Sequence, residues 1–215
     1  MKPTPHPAVA ALSFTGDLFD EPLQDSLVTQ SHIAVDGLKY VPKFVSASDE
    51  SALLAAVDTE PWLSDLKRKV KHYGYRYDYK TRKVDPSMYL GSLPKWIRPL
   101  AARLVSEGHM NTAPDQMIVN EYLPGQGISS HMDCVPCFGP VLCSLSLGSH
   151  CMINLARVEN GEKLSLLLEP RSLLVLSGDA RYKWRHAIPA RKTDKFSGQV
   201  FRRGRRVSLT FRTVI

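Results

Sequence analysis

Along the C-terminal half of the chain, apolar residues recur in short runs separated by turn residues. The runs cover residues 117–123, 141–147, 151–155, 164–168, 173–176, 182–188 and 207–213. Between them stand Pro124-Gly125, Gly127, Gly139-Pro140, Gly148, Asn160-Gly161, Pro170 and Gly178. Many short strands at this spacing predict a β-sandwich or barrel. Upstream the pattern differs. Residues 38–45 read as an edge strand, because Pro42 has no N–H to give to a ladder. Ser48 opens a capped amphipathic helix that ends near Glu60-Pro61. Residues 70–79 place Tyr73, Tyr75, Tyr77 and Tyr79 at period two, which predicts a strand with one aromatic face. Residues 94–107 form a second helix, with Pro94 in its first turn and Gly108 at its C′ position. The expected fold is mainly β with flanking helices, an α+β arrangement.

The densest chemistry lies just after the Pro124-Gly125-Gln126-Gly127 turn, at His131-Met132-Asp133. In extended backbone, residues i and i+2 project to one side, so an imidazole and a carboxylate point together. A third ligand must come from elsewhere. His186 lies within a later strand and has the better context. His150 sits in a turn close in sequence to Asp133, and His72 lies in the tyrosine segment. Two histidines and one carboxylate on one face leave open positions, the ligand set of non-haem Fe(II) oxygenases. Such an oxygenase needs a source of two electrons, and a 2-oxo acid supplies them by oxidative decarboxylation. A dicarboxylate cosubstrate calls for a facing arginine. Residues 206–212 put Arg206, Ser208, Thr210 and Arg212 on one face and Val207, Leu209 and Phe211 on the other. Asn120 and Tyr122 likewise share a face and offer an amide and a phenol.

Charge sharpens the question of partners. The 215 residues hold 28 Lys and Arg against 21 Asp and Glu, a formal +7. The excess is uneven. Residues 3–38 contain five acids and no Lys or Arg, and read as a flexible acidic extension over residues 1–37. Residues 67–83 carry eight bases to one acid, and residues 181–215 carry eleven to one. Both basic segments are interleaved with aromatics, the combination that splayed or single-stranded nucleic acid requires. Residues 38–110 would supply helices and a lid, and residues 111–215 the β core. No apolar run approaches the ~20 residues of a membrane span. A cytoplasmic monomer is expected, with its four cysteines as thiols or ligands in a reducing compartment.

The segments Asn120 to Gly125, His131-Met132-Asp133, Ser144 to Gly148, Ser177 to Tyr182 through His186, and Arg206 to Arg212 together resemble the AlkB family of Fe(II)/2-oxoglutarate dioxygenases. The stretch 67–79 and Pro114 to Met117 look most like the AlkB domain of eukaryotic tRNA wobble-uridine hydroxylases. The resemblance implies a double-stranded β-helix, or jelly roll, with an N-terminal substrate-binding lid. It implies Fe(II) held by His131, Asp133 and His186, with 2-oxoglutarate and O2 as cosubstrates. Arg206 would pair with the distal carboxylate, helped by Asn120, Tyr122 and Ser208, and Arg212 would lie near the C1 carboxylate. Tyr75, Arg76 and Tyr77 match the turn of the lid that contacts phosphate and base. Arg68 stands near the position where familiar bacterial repair members carry a stacking Trp. Val135 stands where they carry an acid that reads the exocyclic amine of adenine or cytosine.

The function implied is oxidative dealkylation of N-alkylated bases in DNA or RNA, a direct-reversal repair. A tRNA-modifying hydroxylase of the same family is the alternative. Two readings from other classes stand beside these. Cys134 and Cys137, with His131, Cys143 or Cys151, form a possible structural zinc set. The chain is otherwise a non-catalytic nucleic-acid-binding module of the same fold.

Overall fold

The computed structural model describes residues 35–63 and 68–215. Its strands, in chain order, are β1 (Leu38–Val41), β2 (Lys69–Tyr73), β3 (Gln116–Tyr122), β4 (Ile128–His131), β5 (Leu142–Gly148), β6 (Cys151–Arg157), β7 (Lys163–Leu168), β8 (Leu173–Leu176), β9 (Trp184–Ile188), β10 (Thr193–Phe196), β11 (Gln199–Arg202) and β12 (Arg206–Arg212). Helices α1 (Ala47–Asp58) and α2 (Arg98–Ser106) precede the β core, and the short α3 (Gly178–Tyr182) leads into β9.

The larger sheet runs β1-β8-β5-β12-β3-β2, and a second sheet runs β4-β9-β6-β7. Successive core strands from β3 to β9, closed by β12, divide between these two antiparallel sheets. That arrangement is a jelly roll. The β10–β11 hairpin is inserted ahead of the closing strand.

The alternation in β12 decides which side of the large sheet does what. Val207, Leu209 and Phe211 are fully buried against Leu53, Val57, Ile97, Leu100 and Leu104 of the two helices. The opposite face of the same strand carries Arg206, Ser208, Thr210 and Arg212 into the space between the sheets. There a second core forms from Tyr122, Phe138, Ile153, Leu155, Leu168, Leu174, Leu176 and Trp184. One face of the sheet is thus held by helices, which leaves the other free to line a cavity.

Several local expectations are corrected. The edge strand stops at Val41, one residue before Pro42. The cap of α1 is Ser46 rather than Ser48: Asp49 N donates to Ser46 Oγ at 3.1 Å, and Ser46 N donates to Asp49 in return. The tyrosine strand ends at Tyr73, because Gly74 turns with φ +77°. Its four tyrosines therefore do not line up on a single face. Tyr73 packs on Trp96 in the helix-side core, whereas Tyr77 packs on Phe138 in the inter-sheet core. Strands β4, β10 and β11 and helix α3 lacked a long apolar run to announce them.

The cysteine expectation also fails. Cys134 and Cys137 are joined in a disulfide, since the tight turn between them brings their Cα atoms to 5.3 Å. Cys143 and Cys151 are buried thiols in different cores. Burial pushes the Cys143 thiol up to about 12. No four-sulfur or mixed zinc set is therefore assembled from these residues, and the zinc reading falls.

The C-terminal basic segment is also less free than its composition suggests. Asp194, fully buried, accepts from Arg191 at 2.8 Å and from Arg203 at 2.6 and 2.7 Å. Arg205 is shared between Asp58 and Glu121. These three arginines tie the hairpin and the helix to the sheets. Residues 1–34 of the acidic extension, and Lys67 of the first basic segment, lie outside the described residues.

Candidate active site

β4 and β9 pair so that His131 stands directly opposite His186. The register slips between Ile128 and His131, a bulge that re-aims the end of β4. Gly127 permits the approach, because a Cβ there would run into the Ile188 carbonyl. The two imidazoles come within 4.4 Å between ring centres. Asp133 Oδ2 lies 3.8 Å from His186 Nε2. His131 Nδ1 sits 2.8 Å from the Ser129 carbonyl. With the ring proton on that nitrogen, Nε2 keeps its lone pair for a metal.

The other carboxylate oxygen of Asp133 accepts from Arg212 Nη2 at 2.9 Å. Among the described residues no three His, Cys, Asp or Glu side chains are gathered closely enough to hold a metal ion as they stand, and the Asp133 carboxylate is engaged by Arg212. Burial alone would raise the Asp133 carboxyl. Arg212, His186 and His131 outweigh it and hold the group well below the usual carboxylate range. Burial pushes His186 down to about 4 against the upward pull of Asp133. At neutral pH the site therefore offers a neutral imidazole and an ionised carboxylate, the forms that bind a metal.

This sets a pH prediction for the metal-free protein. Below pH about 6.5 an unfolded chain takes up a proton that folded His186 refuses down to about 4. Buried His109 shifts in the same direction. Stability should fall as pH drops through that window, and the thermal midpoint should fall with it. Asp133 adds its own loss only at lower pH, as the carboxylate begins to protonate. A midpoint that stays level from pH 6.5 to pH 4.5 would contradict the assignment.

Two cavities meet at this cluster, sharing Asn120, Ile128, His131, Asp133 and Arg212 in their walls. The inner one, about 80 Å³, lies between the sheets and is lined by Tyr122, Ser144, Arg206, Ser208 and Thr210 on its polar side. Arg206 is 3% exposed. Its Nη2 donates to Ser146 Oγ at 2.8 Å, and its ring-facing side lies over Tyr122. Its Nε and Nη1, and the Nε of Arg212, are buried without a partner among the described residues. Unpaired guanidinium donors in an apolar interior are costly unless an anion meets them. Ser208 stands between Asn120 and Ser146 in register, on the same wall. The five residues expected to hold a dicarboxylate are thus gathered around one small cavity that begins at the paired histidines.

The outer cavity, about 420 Å³, falls within the range of small-molecule sites. Arg68, Tyr77, Tyr79, Arg82, Met132 and Phe138 line it. Arg68 Nε donates to Asn120 Oδ1 at 2.9 Å, and its guanidinium lies over the Tyr79 ring. Two of the expected substrate residues are elsewhere. Tyr75 pairs with Tyr89, and Arg76 is exposed; neither lines the cavity. The turn at Gly74 explains this, since it breaks the alternation that would have aligned Tyr75 with Tyr77. Arg82 and Tyr79 were not singled out. Their signal was present in the basic-aromatic run, but only the fold shows which members turn inward. Arg181, fully buried beneath the Asp133 segment, was also passed over.

Comparison with known proteins agrees with this geometry. The family described as the 2OG-Fe(II) oxygenase superfamily matches residues 37–212. A protein of Arabidopsis thaliana named Alkylated DNA repair protein ALKBH8 homolog is 40% identical over 207 residues, covering 86% of this chain and 60% of that one. The Mus musculus protein named tRNA (carboxymethyluridine(34)-5-O)-methyltransferase ALKBH8 is 36% identical, covering 83% of this chain and 30% of that one. The chain thus spans 60% of the first relative and 30% of the second, less than two thirds of either. The solved structure of OsALKBH1 superposes with a TM-score of 0.63 at 16% identity, over 82% of this chain and 98% of that one, and so shares the fold.

Proposed function

The chain belongs to the 2OG-Fe(II) oxygenase superfamily as an AlkB-type 2-oxoglutarate-dependent dioxygenase, and we propose that it oxidises a carbon carried by a nucleobase of DNA or RNA. The family uses Fe(II), 2-oxoglutarate and O2. In this reading His131, Asp133 and His186 hold the iron. Arg206 receives the distal carboxylate of 2-oxoglutarate through its unpaired Nε and Nη1, with Ser208, Asn120 and Tyr122 around it. Arg212 keeps Asp133 ionised and stands beside the cosubstrate. The observation that carries the reading is Arg206, a buried cation with free donors at the far end of a cavity that starts at the paired histidines.

Iron held there would activate O2, one oxygen atom going to the C–H bond and the other to the succinate that forms, with carbon dioxide, from 2-oxoglutarate. The chain's own task is to deliver the base. Tyr77 and Tyr79 offer ring faces, and Arg68 and Arg82 offer donors, in a cavity that opens onto the same cluster. A base in a duplex must be flipped to enter it. Where the oxidised carbon is an N-alkyl group, the hydroxylated product releases it as an aldehyde and the base is restored.

A second reading, hydroxylation of a modified uridine in tRNA, is favoured by the lining of the outer cavity. Among its described side chains the only carboxylate is Asp133, which Arg212 already engages. Val135 is exposed rather than placed to read an amine. Adenine and cytosine present an exocyclic amino donor, whereas uracil presents carbonyl acceptors to arginine. The mouse relative, named as a methyltransferase, acts by that name on a modified uridine of tRNA.

One experiment separates the two. The protein with Fe(II) and 2-oxoglutarate is incubated with methylated single-stranded DNA, methylated duplex DNA and tRNA bearing modified uridines. Aldehyde release from DNA supports dealkylation. A hydroxylated tRNA nucleoside without aldehyde supports the second reading. Succinate formation unaffected by every nucleic acid would remove both.

A further inference from the structure

Residues 132–137 contain no helix or strand, yet Asp133 stands at their start. Buried backbone carbonyls in such a segment need donors from elsewhere. Arg181 of α3 supplies them. Its side chain is 1% exposed. Its Nη1 donates to the Asp133 carbonyl at 3.1 Å, and Nη2 to the carbonyls of Cys134 at 3.1 Å and Phe138 at 3.3 Å. Its Nε reaches the Gly139 carbonyl at 3.4 Å. Every one of these acceptors is backbone. A buried guanidinium with no carboxylate partner is tolerable only because this ring of carbonyls surrounds it.

The element that carries Arg181 is itself fixed. Ala180 N donates to Asp36 O at 2.9 Å and Arg181 N to Ser177 O at 3.0 Å. The chain then runs directly into β9, which bears His186. A single side chain therefore fastens the segment bearing Asp133 to the segment leading to His186. The Cys134–Cys137 bond closes part of the same segment but makes no link to β9.

We propose that Arg181 is the positioning residue of the metal centre, holding the Asp133 backbone in place before any metal arrives. The proposal rests on His131, Asp133 and His186 being the ligands. A fork of donors spanning separate carbonyls is a property of arginine that lysine lacks. Arg181→Lys keeps the charge and loses the span.

The test uses the full chain and Mn(II) alone, followed by calorimetric titration. Arg181→Lys should weaken Mn(II) binding by at least about ten-fold, the range in which outer partners of metal ligands act. Amide hydrogen exchange should quicken at Cys137 and Gly139, whose N–H groups bond Cys134 O and Thr213 O. At saturating metal the KM for 2-oxoglutarate should stay unchanged, a split that general loosening would not give. A folded variant with a smaller shift in Mn(II) affinity would overturn the proposal. If Arg181→Lys does not fold, the wild type decides. Those two amides should be as protected without metal as with it, and protection that appears only on adding Mn(II) would overturn it. Asp133→Ala serves as the control. If that variant still binds Mn(II) normally, it is the ligand assignment that fails.

Discussion

Asp133→Asn should remove turnover, with kcat/KM falling by more than the roughly 100-fold that loss of an outer partner costs a metal site. The substitution keeps the shape of the side chain and an acceptor for Arg212 Nη2, which now lies 2.9 Å from Oδ1. It removes the charge, and with it the anionic donor between two imidazoles. Asp133→Ala should be as inactive and also less stable. Among the described residues it leaves the side chain of Arg212, 7% exposed, with Gln116 alone as a hydrogen-bond partner. Breaking one side of a buried ion pair in this way costs about 3–5 kcal/mol. Comparing the two variants separates chemistry from folding. Succinate formation and Mn(II) titration on both provide the measurement. An Asn variant that turns over within ten-fold of wild type would remove Asp133 from the site.

The gathering of His131, Asp133 and His186 was legible in sequence because its parts are local or strictly periodic. His131 and Asp133 lie two apart, and β12 alternates without interruption, so Arg206 and Arg212 had to share a face. His186 was legible only through context, since nothing in the sequence states that β4 and β9 are neighbours. The tyrosine segment expected to form a lid was read less well. Its period-two tyrosines imitate a strand, but Gly74 at φ +77° ends the alternation after Tyr73. Side chains beyond that turn follow no simple period, and so Tyr79 and Arg82 replaced Tyr75 and Arg76 at the cavity.

Charge was legible in amount but not in use. Nine of the eleven bases after Ala180, all but Arg206 and Arg212, looked like a nucleic-acid footprint. Arg181 is instead spent on backbone carbonyls, Arg191 and Arg203 on Asp194, and Arg205 on Asp58 and Glu121. A single buried acid organises two of them, which counting could not reveal. The bases that remain at the outer cavity, Arg68 and Arg82, come from the lid side of the chain.

Arg206 allows the most discriminating prediction, because its two roles have opposite signs. In the metal- and cosubstrate-free protein it is a buried cation with Nε and Nη1 unpaired. Replacing a poorly compensated buried charge by an apolar side chain of similar length is neutral or stabilising. Arg206→Met should therefore leave the thermal midpoint of the free protein unchanged or higher. With 2-oxoglutarate and Mn(II) present the order should reverse. The wild type gains stability from a ligand that binds only the folded state. The variant, lacking the cation, should bind the dicarboxylate about 2–5 kcal/mol more weakly, roughly 30- to several-thousand-fold in its apparent affinity. Its Mn(II) affinity should stay close to wild type, since Arg206 touches none of the three donors. A mere packing role would instead lower the midpoint under both conditions and leave the cosubstrate affinity alone. Thermal shifts with and without 2-oxoglutarate distinguish these outcomes, and an unchanged cosubstrate affinity would show that the distal carboxylate is held elsewhere.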